Sequence, residues 1–456
     1  MADTVSRDGA VPVGATTVAV PFRHGTRLLA AGLMVLALSA PAVWNGFPLI
    51  FPDTGGYLSR PFEGTLAMGR SAFYGFILYL AIPFAFWPVV VLQGAFTAWL
   101  VVLTLRALSL GDRPWLAVAA VLLLAAGTSI AWFSAQLMPD ILFPAAVLAL
   151  YLLAFRAECF APWERWTLAA VVAAAIASHM AALGLCIALV PALWVAARLV
   201  RLPRPRLRYA VASLVAGLVL ALVSNLVIAH SFRLTPGGSS FLFGRLIEDG
   251  IVARYLKERC PDPSLRICAY ADTLPLQADD WLWGPGTAFY KLGGHEGFRD
   301  EAREIIVDSI RRYPLAHAEA ALKATTEQFL RFATEVSLDD NEPTLATFAE
   351  FTPQYMNRVA AAPQQQGHID VQALNLVHLP VAALGIAGIV AALVFRRGLA
   401  PEALALCLTV LLALVLNAAI CGIFSHPVDR YQSRLVPLAP LALGLVIAAR
   451  SLRRTR

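Results

Sequence analysis

Long blocks of apolar residues, separated by short polar stretches, run through most of the chain. Each block is close to the roughly 20 residues that a helix needs to cross about 30 Å of hydrocarbon. The blocks predict about ten transmembrane helices, near residues 27 to 47, 88 to 106, 115 to 134, 141 to 156, 166 to 179, 182 to 198, 209 to 230, 373 to 395, 401 to 423 and 433 to 450. Because helices satisfy their own backbone hydrogen bonds in lipid, the pattern predicts an all-α polytopic membrane protein.

Arginines gather at the ends of these blocks. The clusters are Arg23 and Arg27; Arg106 and Arg113; Arg156 and Arg165; Arg198, Arg201, Arg204, Arg206 and Arg208; Arg396 and Arg397; Arg450, Arg453, Arg454 and Arg456. Basic residues concentrate in cytoplasmic loops, so this pattern places both termini in the cytoplasm. Residues 1–26 are predicted to be a disordered cytoplasmic N-terminus and residues 451–456 a cytoplasmic tail. A signal peptide cleaved near Leu38-Ser39-Ala40 is the alternative for the first span, and we favour an uncleaved anchor.

One apolar stretch, Ser71 to Trp87, does not fit as a span, because counting it would place the five-arginine cluster outside. We interpret it as re-entrant or juxtamembrane. The predicted organisation is then a seven-helix core at 27–230, an extracytoplasmic loop subdomain at 231–371 and three further helices at 372–450.

Composition agrees with this picture. Apolar residues make up 59% of the chain and charged residues 14%, with a net charge of +6 and a mean hydropathy of +0.67. A nucleic-acid-binding protein would need a basic face with base-stacking aromatics on a water-facing domain, and none is visible, so nucleic acid is not expected as a partner. The preference for arginine over lysine is typical of a high-GC bacterium, which indicates the bacterial inner membrane.

The large loop has the pattern of a folded, mainly helical subdomain. Residues 298–332 carry helical periodicity, and Pro314 is predicted to separate two helices. Trp281 and Trp283 follow two aspartates in a predicted turn. They are candidates for stacking on a sugar, or else they form the core of the subdomain or anchor it at the membrane interface.

Two cysteines of this loop, Cys260 and Cys268, flank a short turn-rich segment. In an oxidising compartment they could close as a disulfide bond. A zinc site is not expected, because two cysteines without nearby paired histidines supply too few ligands.

Two aspartates lie at the outer ends of predicted helices, where charged residues are costly and therefore candidates for function. Asp53 follows the first helix, beside two glycines, and could instead be a turn-forming residue. Asp140 follows Met138-Pro139 and could instead be a helix N-cap. The topology puts both carboxylates on one surface, where two carboxylates can act as a general base and as an anchor for an acceptor or a metal.

Further polar residues share this surface. Arg60, Glu63 and Arg70 lie in the first outer loop, where arginines suit a lipid phosphate or simply ordinary anionic headgroups. His179 lies at another outer helix end, where a lone histidine is more often an interface residue than a ligand. The segment Ser425 to Arg434, with His426, Asp429 and Arg430, either closes over the site or caps two helices.

The order of these features resembles the GT-C superfamily of polyprenyl-phosphate-sugar-dependent membrane glycosyltransferases, which includes protein mannosyltransferases and lipid A aminoarabinose transferases. The resemblance covers residues 27 to about 335. Asp53 followed by Tyr57 is similar to the catalytic Asp after the first helix, Ser71-Ala72-Phe73-Tyr74 is loosely similar to a juxtamembrane Pro-Pro-Leu-Tyr segment, and Trp132 to Leu142 is similar to an aromatic helix end leading into Pro-Asp. Thr54 stands where many members have a second acidic residue, and the two prolines are absent.

The resemblance implies an inverting transfer of a sugar from a polyprenyl phosphate to a glycan, lipid or protein acceptor at the outer face. Asp53 is then expected to be the general base and Asp140 to orient the acceptor or a divalent cation. Arg245, Arg430 and Arg434 are the candidates for binding phosphate. Two alternatives stay open: a lipid or polysaccharide transporter or flippase, and a non-catalytic scaffold of envelope assembly.

Overall fold

The computed structural model describes residues 24–66, 69–111, 113–335 and 341–454. Within these ranges the chain forms helices and no β-strand. The predicted disordered tail lies outside them, except for residues 24–26, which begin the first helix. Seven helices are long and apolar enough to cross a membrane: His24–Asn45, Trp87–Ala107, Met180–Leu199, Leu207–Ala229, Val371–Val394, Pro401–Phe424 and Asp429–Ser451. The chain is therefore an all-α, multi-pass membrane protein, as the apolar blocks predicted.

Three predicted spans fall on helices that are shorter than this. The block at 115 to 134 is interrupted at Thr128, whose extended backbone separates Pro114–Gly127 from Ile130–Ser134. The block at 141 to 156 forms the 3₁₀ turn Pro139–Ile141 and the helix Leu142–Phe155, and the block at 166 to 179 belongs to Pro162–Ser178. The stretch Ser71 to Trp87 holds only the helix Ala72–Ala81 and the 3₁₀ turn Ile82–Phe84.

The helix Leu142–Phe155 lies at the centre of the bundle. Each of its residues from Phe143 to Ala154 is buried, whereas the helices Leu207–Ala229 and Val371–Val394 expose most of their apolar side chains. A helix that is apolar on all sides is stable when other helices surround it. This helix therefore fixes the position of Asp140, which directly precedes it, at the centre of one end of the bundle.

The two ends of the bundle differ in charge. At one end, arginines at helix termini bind acidic residues and carbonyl groups of neighbouring loops: Arg106 pairs with Glu164, Arg206 pairs with Glu158, and Arg396 donates to the Val200 carbonyl at 2.9 Å. The opposite end carries Asp53, Asp140, Arg70 and Arg430. We call these the basic end and the site end.

The predicted loop subdomain divides between two cores. Phe243, Tyr255, Trp281, Phe289 and Phe298 form the core of residues 238–313. Its helices are Gly238–Glu248, Ile251–Arg259, Ala278–Trp283, Ala288–Lys291, Gly294–Gly297 and Arg299–Arg312, with the 3₁₀ helix Arg266–Thr273. The helix Pro314–Leu330 follows at Pro314, where a break was predicted, and packs along Pro401–Phe424.

Residues 341–370 pack instead on the segment 47–64, which follows the first helix. Phe348 lies in the same core as Phe47 and Tyr57, and Gln364 exchanges two hydrogen bonds with the backbone of Ile50. The helices of this region are Thr54–Leu58, Arg60–Glu63, Glu342–Phe351 and Met356–Ala361, with the 3₁₀ turn Pro353–Tyr355. The 3₁₀ turn Ala157–Cys159 is a further short element. The last candidate span, Asp429–Ser451, consists of the helix Asp429–Ser433, a turn at 434–437 and most of the helix Leu438–Arg454.

Candidate functional site

The turn that carries Asp53 is tied to the segment that carries Asp140. The Thr54 hydroxyl accepts from the Phe51 backbone N–H at 2.9 Å and donates to the Leu137 carbonyl at 3.2 Å. Leu49 and Gln136 also pair as an isolated β-bridge. Thr54 is fully buried in these contacts, so its hydroxyl fixes the turn of Asp53 against the segment of Asp140.

Asp53 precedes the helix Thr54–Leu58 but makes no side-chain cap hydrogen bond to it. Its carboxylate instead accepts from Arg70, and from Arg430 at 2.8 Å between Oδ2 and Nη1. The side chain is 30% exposed. A residue needed only for its turn would bond to the local backbone, so the contacts of Asp53 favour a role outside the turn.

Arg430 bridges the two carboxylates. Its Nε and Nη2 donate to the two oxygens of Asp140 at 3.2 and 2.8 Å, while Nη1 binds Asp53. The guanidinium also lies 4.1 Å from the centre of the Phe51 ring. The bidentate contact with Asp140 holds the planar guanidinium of Arg430 in one orientation.

Asp140 is fully buried and does not line the cavity described below. Arg434, also fully buried, donates to it from Nη1 at 3.0 Å. Asp140 lies inside the 3₁₀ turn Pro139–Ile141 rather than at a helix N-cap. Because Asp140 is buried away from the cavity and both of its oxygens accept from arginines, the predicted contact with an acceptor or a metal has no counterpart in this arrangement.

Arg70, which binds Asp53, lies next to His179. Their backbones pair as an isolated antiparallel bridge, and the Arg70 guanidinium lies 5.6 Å from the centre of the Tyr57 ring. The His179 Nδ1 accepts from the Ala181 backbone N–H at 3.1 Å. A neutral imidazole with Nδ1 as acceptor carries its hydrogen on Nε2, so His179 presents a donor.

The charges of two neighbouring arginines determine the ionisation of Asp53. Burial raises the pKa of the Asp53 carboxyl, but Arg70 and Arg430 outweigh that effect and hold it below its usual value. Asp53 is therefore ionised at neutral pH. Burial raises the pKa of the Tyr57 hydroxyl, which stays neutral.

These residues open onto a cavity of about 750 Å³, a size that suits a small-molecule or cofactor ligand. One part of its wall is apolar and belongs to the membrane-spanning helices Met180–Leu199 and Pro401–Phe424, with Gly184, Ala188, Ile420 and Phe424. The other part is polar and aromatic, with Asp53, Arg70, His179, Arg430, Tyr431, Glu335, Asp279, His426, Trp283 and Phe241. An amphipathic ligand would satisfy both parts.

Several predicted site residues do not line this cavity. Arg245 pairs with Glu248 and Asp249 on its own helix at 2.9 and 2.6 Å, and Trp281 is buried in the loop core. Arg60 and Glu63 pair with each other at 2.9 Å. The Asp429 carboxylate accepts from the Ala333 backbone N–H. Tyr57 lies beneath Arg70 without lining the cavity. Arg434 does not line the cavity either, and its guanidinium contacts Asp140, Phe143 and Tyr431.

Sequence reasoning missed Glu335, Asp279, Phe241 and Tyr431. Glu335 accepts from the Arg430 backbone N–H at 3.2 Å, and Asp279 pairs with His426 at 3.2 Å. Asp279 and Trp283 are four residues apart, the spacing that places side chains on one helix face, and that spacing could have identified the pair.

Cys260 and Cys268 are joined by a disulfide bond in the loop subdomain, with Cα atoms 5.6 Å apart. The described part of the chain holds no group of three or more His, Cys, Asp or Glu side chains placed to bind a metal ion. No protein-family model, curated protein or solved structure matches the chain.

Proposed function

We propose that this protein is a glycosyltransferase that moves a sugar from a polyprenyl phosphate to an acceptor at the outer face of the bacterial inner membrane. The supporting observation is Asp53, an ionised and partly exposed carboxylate in the polar part of a cavity whose other part is apolar. A lipid-linked sugar has the same two-part character, since an apolar chain meets a charged phosphate and a sugar.

The donor would lie with its chain along Gly184, Ala188 and Ile420 and its phosphate near Arg70 and His179. Arg70 has five N–H donors and donates to Asp53 from one nitrogen, so further donors remain for phosphate oxygens. His179 adds a neutral donor through Nε2. Each of the three guanidinium nitrogens of Arg430 donates to Asp53 or Asp140, so its role is to orient Asp53.

The reaction would be a single inverting displacement. Asp53 takes the proton of an acceptor hydroxyl while that oxygen bonds to the anomeric carbon of the sugar. The bond from that carbon to the phosphate oxygen breaks, and the electron pair leaves with the polyprenyl phosphate, whose negative charge Arg70 and His179 stabilise.

The orientation in the membrane and the number of spans belong to the same proposal. Arginines at the basic end suit the cytoplasmic side, which would place the site end outside and both termini inside. The helices Pro114–Gly127, Leu142–Phe155 and Pro162–Ser178 would then cross with the seven longer ones, giving ten spans and a GT-C-like core. Leu142–Phe155 would cross with only 14 residues because neighbouring helices, rather than lipid, surround it.

The test is Asp53→Asn, which keeps the size of the side chain and removes its ability to take a proton. Turnover should fall by about 10² to 10⁴, the usual contribution of a positioned base. Consumption of a panel of polyprenyl-phosphate sugars would be measured in liposomes, since the acceptor is unidentified. Asp272→Asn, an exposed aspartate outside the cavity, is the matched control and should be as active as wild type. An Asp53→Asn protein that consumes a donor at the wild-type rate would contradict the proposal.

A further inference from the structure

One helix of the loop subdomain presents an aromatic ring and a carboxylate to the cavity. Asp279 and Trp283 are four residues apart on Ala278–Trp283, so they lie on the same face, and both line the cavity. Trp281 and Leu282 point to the other side, where they are buried in the loop core. The helix is thus anchored in the loop core by one face and presents Asp279 and Trp283 to the cavity on the other.

Trp283 is 51% exposed, a large apolar surface to leave open beside charged groups. The neighbouring ring of Phe241 meets it edge-on, with centroids 6.3 Å apart and planes at 62°. This contact fixes the orientation of the indole without covering it. A fixed, uncovered indole can stack on a flat apolar surface of a ligand.

The Asp279 carboxylate lies 3.2 Å from the His426 Nε2, and the two side chains are 50% and 24% exposed. Asp279 belongs to the loop subdomain, whereas His426 follows the membrane-spanning helix Pro401–Phe424. The pair offers a strong acceptor and an imidazole beside the indole, which are the groups that bind hydroxyls.

We propose that Trp283, Asp279 and His426 form an acceptor subsite for a carbohydrate, which makes the acceptor of this enzyme a glycan. The inference rests on the proposed function. One sugar of the acceptor stacks its C–H face on Trp283, while its hydroxyls bind Asp279 and His426. The same glycan then presents the next hydroxyl to Asp53 from the polar side of the cavity.

The geometry favours a glycan over the other two classes of acceptor. A second lipid would need another apolar groove, but Trp283 lies beside Asp279 on its own helix, and His426 pairs with that carboxylate. A protein acceptor bound as an extended strand would need an exposed sheet edge, and the described residues contain no β-strand. A sugar has both an apolar face and a rim of hydroxyls, which matches an indole next to a carboxylate.

The test measures binding without donor, by equilibrium dialysis of radiolabelled linear hexasaccharides of mannose, glucose, galactose and arabinose against the detergent-solubilised full chain. At least one should bind, and Trp283→Ala should raise its Kd about tenfold, the value of an aromatic contact of roughly 1.4 kcal/mol. Trp283→Phe keeps a flat ring and should recover most of the affinity. Leu276→Ala, an 86% exposed residue of the same subdomain outside the cavity, is the control and should bind as wild type does.

Two results would overturn the inference: no hexasaccharide binds, or Trp283→Ala binds as tightly as wild type. Neither affects the proposed function, whose test is donor consumption by the Asp53→Asn protein. Conversely, hexasaccharide binding that depends on Trp283 in a protein that consumes no donor would refute the glycosyltransferase and leave a glycan-binding site.

Discussion

The burial of Asp140 predicts a structural cost that a ligand-binding aspartate would not show. Asp140→Ala leaves Arg434 fully buried with no ion-pair partner, and leaves Arg430, 6% exposed, with Asp53 alone. Breaking a buried ion pair by removing one member costs about 3 to 5 kcal/mol, because an uncompensated charge remains. The Asp140→Ala protein should therefore unfold at a clearly lower temperature.

The measurement is thermal unfolding in detergent, followed by the loss of the monodisperse peak in size-exclusion chromatography. Glu158→Ala is the matched control, because Glu158 pairs with Arg206 at the basic end with both side chains about half exposed. An exposed pair contributes at most about 1 kcal/mol. This variant should unfold close to the wild-type temperature.

A compensating variant separates charge from cavity formation. Asp140→Leu combined with Arg434→Met removes a buried charge of each sign and keeps comparable volume, so the double variant should be more stable than Asp140→Ala. If Asp140→Ala unfolds at the same temperature as Glu158→Ala, the network does not stabilise the fold. Asp140 would then have to be regarded again as a residue that binds acceptor or metal.

Three further predictions concern the orientation, the loop and the acid sensitivity of the site. A reporter active only in the cytoplasm should work when fused after Arg208 or Arg397, and one active only outside should work near Asp272; the reverse pattern would invert the proposed orientation. Mass mapping without reductant should find Cys260 and Cys268 in one linked peptide, and two free thiols would refute the bond. Because Arg70 helps to hold the pKa of Asp53 below its usual value, activity should persist as the pH falls until that lowered pKa is reached. Arg70→Gln raises the pKa, so its activity should fail at a higher pH; an unchanged acid limb would contradict the assigned cause.

The architecture and part of the site could be predicted from the sequence, because charged residues are costly in a membrane and their positions therefore mark the ends of the helices. Apolar blocks and arginine clusters were enough to predict an all-helical, multi-pass chain, and they put Asp53 and Asp140 at the same end. The structure joins these two residues through Arg430. The number of spans was harder, because a central helix of 14 residues such as Leu142–Phe155 does not need the length that lipid demands.

Residue type alone did not predict which of the other candidate residues line the cavity. Trp281 and Trp283 are two positions apart and equally apolar, yet the helix turns one into the loop core and the other into the cavity. Arg434 and Arg430 are one turn apart, and only Arg430 reaches the cavity. The ion pairs of Arg245 could have been predicted from the sequence, since acidic residues lie three and four positions later on the same helix.

The ion pair between Asp140 and Arg430 joins residues that are 290 positions apart. At about 5 to 20 residues per second, a ribosome needs roughly 15 to 60 s to make the chain between them. During that interval Asp140 has neither arginine, and an unpaired charge is costly to bury away from water. The nascent chain must therefore keep the beginning of its central helix in contact with water until its last helix is made. The site is assembled last, so release of a chain truncated before residue 430 would yield a bundle with an unneutralised aspartate, a form that quality-control proteases could recognise.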